Sequence, residues 1–354
     1  MTREEIEKRI DALTCEATKT RDPKVKAELK VLTRRLAAMP QSVVSVGEVF
    51  KELATNTFFN DPAVIPQPPK ITEEELKRCQ SNGDFCPILF EWYKFVGLLA
   101  ICFAQFDRRS SGVREIEPIE YHVLTGLLTR CTRLMLANVA LSHQGVFGET
   151  TAIIDRCIFE SAVKVIWLVN SQDKEKFRRF IADGLKTELE LKKEIESIIA
   201  SRDGYQLVIE KRMLESIQRA IDSSGMSVQE IADAKKLPDL ASMINAFVDN
   251  RFMYLAGQKI GSHHVHGTWV SLRNHYLRDV DGELRPRDHD VRTADIQFIV
   301  TSFLVLSAIE AFLLYVLVVD DAQKLLLRCV NAIRDEIQRI NVASEGNDYE
   351  LNNT

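Results

Sequence analysis

Phe298-Ile-Val-Thr-Ser-Phe-Leu-Val-Leu-Ser-Ala-Ile-Glu-Ala-Phe-Leu-Leu-Tyr-Val-Leu-Val-Val319 runs for 22 residues with only Thr301, Ser302, Ser307 and Glu310 outside the apolar set. A helix of that length reaches across a bilayer. Its flanks argue otherwise. Asp290 and Asp295 precede it and Asp320-Asp321 follow it, so the basic juxtamembrane bias is missing, and Glu310 would sit mid-bilayer at a cost of a few kcal/mol. The run reads as the buried helix around which a helical body is built, with a membrane span as the alternative.

Composition supports that body. The chain has 354 residues, a formal net charge of −5, 27% charged and 45% hydrophobic residues, as a globular protein does. Only 15 residues are Gly and the apolar positions repeat at helical spacing, which excludes collagen-like and repetitive β architectures. The start, MTREEIEKRIDAL, has no apolar run after a basic head, so no secretory signal is expected and a cytoplasmic location follows. Seven scattered cysteines without a Cys-x-x-Cys fit reduced thiols; Cys79 and Cys86 alone make a poor zinc pair.

Working towards the N-terminus, Glu149 to Val169, Pro118 to Leu141 and Pro87 to Phe106 carry apolar stripes that predict core helices. Thr72-Glu-Glu-Glu75 has the form of a capping box. Four prolines in Asn60-Asp-Pro-Ala-Val-Ile-Pro-Gln-Pro-Pro69 cannot be helical and predict a linker over 60–70. Before it, residues 1–59 read as a helical appendage, with helices over 3–18, 23–38 and 43–54. Between the core stretches, Gln172 to Ser201 is a charged amphipathic helix and Tyr205 to Ile221 its antiparallel partner, closed by Ser223-Ser-Gly225, with a second capping box at Ser227-Val-Gln-Glu230. Asn250 to about Leu277 reads as a helix, Arg278 to Asp290 as a polar turn or loop with Asp281-Gly282 at its tip, and 342–354 as a disordered tail. The expected fold is all-α: a multi-helix bundle over 71–341 with an N-terminal helical appendage.

Five of the seven histidines, His263, His264, His266, His275 and His289, fall within 27 residues. Ser262 and His266 are four apart and would share a helix face, with His266 as acid or base. The bland alternative is a histidine bonded inside a helix contact. Arg156-x-x-x-Glu160 in an apolar helix either pins that helix or presents Arg156 as an anion clamp, with Glu160 accepting a proton or orienting His266. Glu310 would be a third inward carboxylate, or would reach the bundle edge. Lys259, Arg273, Arg278, Arg285, Arg287 and Arg292 accompany Tyr254, Trp269 and Tyr276, a mix suited to phosphates and stacked bases, but Asp279, Asp281, Glu283, Asp288 and Asp290 nearly cancel the charge. No metal or cofactor is expected: Glu-x-x-His is absent, as are the dinucleotide, P-loop, nucleophile-elbow and zincin motifs.

Arg156-x-x-x-Glu160, Phe177-Arg-Arg-Phe180, Tyr254 and Ser262-x-x-x-His266-Gly267 together resemble a widespread family of helical prokaryotic proteins catalogued as a domain of unknown function, over roughly residues 90–320. The resemblance implies that Arg156, Glu160, Tyr254, Ser262 and His266 meet at one polar site; it implies no reaction. A distant likeness to HEPN ribonucleases fails on spacing, since seven residues separate Arg114 from His122 and three separate Arg285 from His289.

The expected function is a cytosolic protein with a polar interhelical pocket: Glu160, Ser262 and His266 catalytic, Arg156, Tyr254 and Arg273 binding a phosphate-bearing ligand or RNA, in a stress or phage-defence setting. The alternative is a non-catalytic helical interaction protein, docking a partner or a second copy through the 172–201 helix and residues 1–59, with no membrane involved.

Overall fold

The computed structural model describes residues 45–55, 64–171, 173–247 and 254–351. The helices expected over 3–18 and 23–38 lie outside them. The described residues are 73% helical. α1 (Val46–Thr55) and α2 (Glu73–Asn82) lead into α3 (Cys86–Ala104), α4 (Pro118–Gln144) and α5 (Gly148–Val169). An arm follows, made of α6 (Glu175–Ala200), α7 (Val208–Ser224) and α8 (Val228–Asp233), and then α9 (Leu240–Asn245). The chain returns through a π-helical turn at Leu255–Ile260, α10 (Gly261–Val265), α11 (Trp269–Ser271) and a second π-helical turn at Leu272–Tyr276. A hairpin of β1 (Leu277–Val280) and β2 (Glu283–Pro286) precedes the two last helices, α12 (Asp295–Val316) and α13 (Asp321–Leu351).

The body is the layer in which α3, α4, α5 and α12 pack on one another. From α12, Phe298, Leu304, Val305, Leu306, Ile309, Phe312 and Leu313 are all buried. Each such side chain contributes about 1.5–3 kcal/mol by leaving water. α3 and α12 are both long and apolar enough to cross a membrane, and in each 61% of the apolar window is covered by the rest of the fold. The run that opens the sequence argument is a core helix here. Glu310, its lone charge, pairs with Arg334 of α13 at 2.7 Å.

A polar junction pins the four helices together. Asn138 of α4 donates to Asp155 of α5 at 2.8 Å and to the Tyr93 hydroxyl of α3 at 3.0 Å, while Gln297 of α12 donates to the other Asp155 oxygen at 3.0 Å. A sliver of Asp155 meets solvent, but protein encloses the carboxyl on most sides. Burial pushes it up to about 7, against the pull of its amide and hydroxyl partners.

Several sequence expectations are corrected. The core does not wait for residue 71: Val49, Phe50 and Leu53 of α1 and Ile65 are buried in the main cluster, and Arg328 of α13 forks onto Glu52 at 3.1 Å. Residues 342–351, within the stretch read as a disordered tail, continue α13. The stretch from 250 to 277 is no single helix. Gly267, at φ +55°, ends α10, and Thr268 restarts the chain from an extended conformation. The polar loop after it is a hairpin, because Asp281 and Gly282 both take positive φ, the geometry of a two-residue turn whose twist matches paired strands.

The arm has its own core. Leu185, Leu189 and Ile195 of α6 pack with Ile217 and Ile221 of α7 and Ile231 of α8, while Phe177, at the start of α6, stays in the main cluster. Both expected capping boxes form, Thr72 with Glu75 and Ser227 with Glu230.

Candidate functional site

The predicted residues are placed as follows. Arg156 and Glu160 are on α5 with Nε and Oε1 3.4 Å apart, an ion pair without hydrogen-bond alignment that leaves the Arg156 Nε unbonded. Gly261 presses on the Arg156 stem: a Cβ there would lie 3.0 Å from the Arg156 Cβ. Four residues earlier, a Cβ on Gly257 would fall 2.0 Å from the Phe159 ring, so only two glycines let this segment lie against α5. Ser262 donates its hydroxyl to the Gln258 carbonyl at 2.8 Å and not to His266. Helical serines commonly bond back in this way. His266 is exposed just after α10, and among the described residues no hydrogen bond or ion pair reaches its ring. Tyr254 lies partly buried with the Lys259 ammonium 5.8 Å from its ring centroid, and Arg273 leans weakly on the Leu277 carbonyl at 3.4 Å. Arg156, Glu160, Gly261 and Ser262 are thus neighbours, but the Ser262–His266 pair does not form, and Glu160 faces Arg156.

A second cluster gathers where the N-terminus of α5 meets the second π-helical turn and the segment 287–294. Asp290 accepts the Glu149 amide at 2.9 Å and the Val291 amide at 2.7 Å, and its Oδ1 lies 2.5 Å from His275 Nδ1. Burial alone would raise this carboxyl; the two amides and the imidazole reverse that and hold it below the usual carboxylate range. An ionised carboxylate only accepts, so His275 Nδ1 must carry the proton, and in the neutral ring Nε2 keeps its lone pair. His275 is itself buried.

The ring of His264 meets that of His275 edge to face, with centroids 4.9 Å apart. Burial and the neighbouring His275 lower the basicity of His264, and its buried Nδ1 has no hydrogen-bond partner among the described residues. Beside them the buried carboxylate of Glu149 accepts hydroxyls from Ser271 and Tyr276, one on each oxygen. The bond to Glu149 raises the Tyr276 phenol.

Backbone closeness makes this possible. The Gly148 amide donates to the Val291 carbonyl at 2.8 Å, and a Cβ on Gly148 would come within 2.9 Å of that same oxygen. The strap 287–294 therefore crosses the start of α5 only because residue 148 has no side chain. The π-helical turn supplies the rest: after Ser271, the widened turn aims His275 and Tyr276 towards α5.

Chemically the arrangement is an aspartate-held imidazole next to a second, neutral imidazole, with a carboxylate that already holds two hydroxyls. Such a set can take and return a proton. Trp269 and Tyr276 stand beside it, 60% and 51% exposed. The histidine cluster of the sequence includes His264 and His275, but its i, i+4 spacing puts the chemistry on His266; the helical turn does form, with the His266 amide donating to the Ser262 carbonyl at 3.1 Å, and the Ser262 hydroxyl is taken by Gln258. Glu149 and Asp290 were missed, since no local pattern links residues 141 apart.

Residues 121–284 match the model of a family of unknown function (DUF5677). This is consistent with the resemblance drawn from Arg156, Glu160, Tyr254, Ser262 and His266, over a shorter span, and gives no support to a HEPN likeness. No curated protein and no solved structure matches the chain.

Proposed function

We propose that the protein is a cytoplasmic acid–base enzyme that acts on a phosphate ester, a nucleotide or single-stranded RNA, with His275 as its base. The observation that carries this reading is the 2.5 Å contact between His275 Nδ1 and Asp290, in a polar cluster with His264 and Glu149. Asp290 is the positioning residue: it selects the tautomer and stabilises the imidazolium that forms when Nε2 takes a proton from water or a hydroxyl. The imidazolium then returns the proton to the leaving oxygen. Arg156 and Arg273 are the nearby cations for the phosphate, and exposed Trp269 and Tyr276 offer stacking faces for a base. Glu160 holds Arg156, and Ser262 belongs to the backbone of α10.

Cleavage of a single-stranded RNA and of mononucleotides by the full chain tests this. His275→Gln should lower turnover by about 10²–10⁴-fold, the usual contribution of a general base, while His266→Ala retains it. Failure of the wild-type chain on every phosphate ester, or activity lost in His266→Ala and kept in His275→Gln, contradicts the assignment.

A second reading has its own observation. At the arm's tip Tyr205, Val208 and Ile209 are 68%, 69% and 58% exposed, an apolar end suited to docking a partner or a second copy. Light scattering on Val208→Asp compared with wild type decides it: a change in oligomeric state supports docking of a second copy, and a wild-type monomer opposes it.

A further inference from the structure

Strands β1 and β2 carry their charges unevenly. In the antiparallel register Arg278 faces Arg285 directly, and Val280 faces Glu283 beside the turn. The ladder runs one pair further, since the Arg287 amide donates to the Tyr276 carbonyl at 2.8 Å. Residues two apart on a strand share a face, so Arg278, Arg285 and Arg287 stand together on one side of the hairpin, while Leu277, Asp279, Leu284 and Pro286 take the other. We propose that this arginine face is the backbone-binding track of a single-stranded nucleic acid, leading to His275. The proposal deepens the reading of the His275 cluster, on which it rests for the phosphate to be attacked, and commits the substrate to a strand of several nucleotides and not a mononucleotide.

The hairpin does not serve the core. Among the described residues none of its side chains enters either hydrophobic cluster, and Arg278 and Arg285 are 50% and 56% exposed. Like charges directly across a strand pair weaken the pairing. An anion that bridges the two guanidinium groups turns the repulsion into a contact. Their partners within the chain are weak: Arg278 reaches Asp288 and Arg285 reaches Glu283 at 3.4 Å each, long pairs open to water that a phosphate can displace. Arg287 is partly buried and has no carboxylate partner among the described residues. Asp279 lies on the far face, where it accepts the Gly282 amide at 3.0 Å and is held in the turn.

The chemistry of the face selects its occupant. Arginine supplies both cations of the strands and the one that follows them, and its planar fork binds phosphate through two parallel hydrogen bonds. Arg285 and Arg287 stand about 6.8 Å apart along the strand, close to the step between successive phosphates of an extended single strand. The track is continuous with the polar cluster: β1 begins directly after Tyr276, whose hydroxyl is bonded to Glu149, and His275 comes just before it. Trp269 and Tyr276, both exposed, offer faces on which unpaired bases stack. That favours a single strand over a duplex, whose bases already stack on one another, and over an acidic peptide, which has no bases.

The test is fluorescence anisotropy of a labelled oligouridylate of about twelve nucleotides with the full-length protein over a range of salt. Wild type should bind. Replacing Arg278→Gln and Arg285→Gln together should weaken binding at least tenfold and flatten the slope of log K against log salt by about 1.4, at about 0.7 for each phosphate contact on a single strand. Leu284→Ser, on the opposite face, should bind as wild type does. The double variant should melt no lower than wild type, because it removes facing like charges, so its loss of binding is not loss of fold. His275→Gln should keep the binding, which separates the two claims. An oligonucleotide held through the arginines but never cleaved supports the track and contradicts the base; mononucleotides turned over by a protein that does not bind the oligonucleotide overturn the track alone. A double variant with unchanged affinity and slope, or equal affinity of wild type for polyglutamate or for a duplex of the same length, would also overturn the proposal.

Discussion

Asp155 lies six residues beyond Glu149 on α5, and Asp290 accepts the Glu149 amide, yet the surroundings of Asp155 and Asp290 drive these two carboxyls in opposite directions. Asp155 takes its partners from the sides of three long regular helices, and burial lifts it to about 7. Asp290 sits over the open N-terminus of α5, where backbone amides and an imidazole hold it down despite burial. Side-chain amides inside a packed layer make a carboxyl a pin; unpaired backbone amides and a histidine make it a stable anion that can support a proton transfer. Two titratable groups pushed apart by environment are the pattern expected of a fold that keeps structure and chemistry in adjoining compartments.

The sharpest way to break this comparison is kinetic. Asp290→Asn should reduce turnover on a phosphate ester by about 10²-fold or more, because the imidazole loses its tautomer and its countercharge. Parallel pH–rate profiles for variant and wild type with equal plateaus would place Asp290 among the merely structural residues.

Asp155 gives the next largest effect, and it is one of stability. Its carboxyl is raised in the folded protein above its value of 3.8 in the unfolded chain, so the folded state holds more protons between about pH 4 and pH 7. Stability from this group is therefore present at the acid end of that window and lost as pH rises through it, by an amount on the order of a few kcal/mol. Asp155→Asn should flatten the dependence, read by chemical denaturation at pH 5 and pH 8. An unchanged slope would show that Asp155 is ionised in the core.

Packing comes third. Gly257→Ala puts a methyl group 2.0 Å from the Phe159 ring and should destabilise by about 1–3 kcal/mol, visible as a lower melting temperature. Gly261→Ala, at 3.0 Å from a side-chain carbon, should cost less. Equal melting temperatures for wild type and Gly257→Ala would mean that the π-helical turn does not bear on α5 as described. Smallest of all, His266→Ala should lie within about 0.5 kcal/mol of wild type, since its ring is exposed and meets no hydrogen-bond or ion-pair partner among the described residues.

The body was legible because its signals are local. The apolar periodicity of α4 and α5, the unbroken apolar run of α12, the Thr72 and Ser227 capping boxes and the α6–α7 hairpin are all written within a few turns of chain. The segment from Leu255 to Thr293 was not, because π turns break the 3.6-residue period and shift which side chains share a face. Gly257-x-x-x-Gly261 did carry a usable signal, two small residues at helical spacing for a close helix contact, and Asp281-Gly282 carried the hairpin. What no spacing could reveal is the meeting of residues far apart in sequence: Asp290 with Glu149, Thr293 with Thr151, Asp295 with Cys86.

The central claim is that Asp290 holds His275 with Nδ1 protonated and Nε2 free to act as a base. Long-range nitrogen–proton NMR of the imidazoles reads this directly and needs no substrate. His275 should appear as the Nδ1–H tautomer in its neutral form and lose that preference in Asp290→Asn, while the His266 signal stays the same in both proteins. An Nε2–H tautomer at His275, or a His275 signal indifferent to Asp290→Asn, would contradict the account.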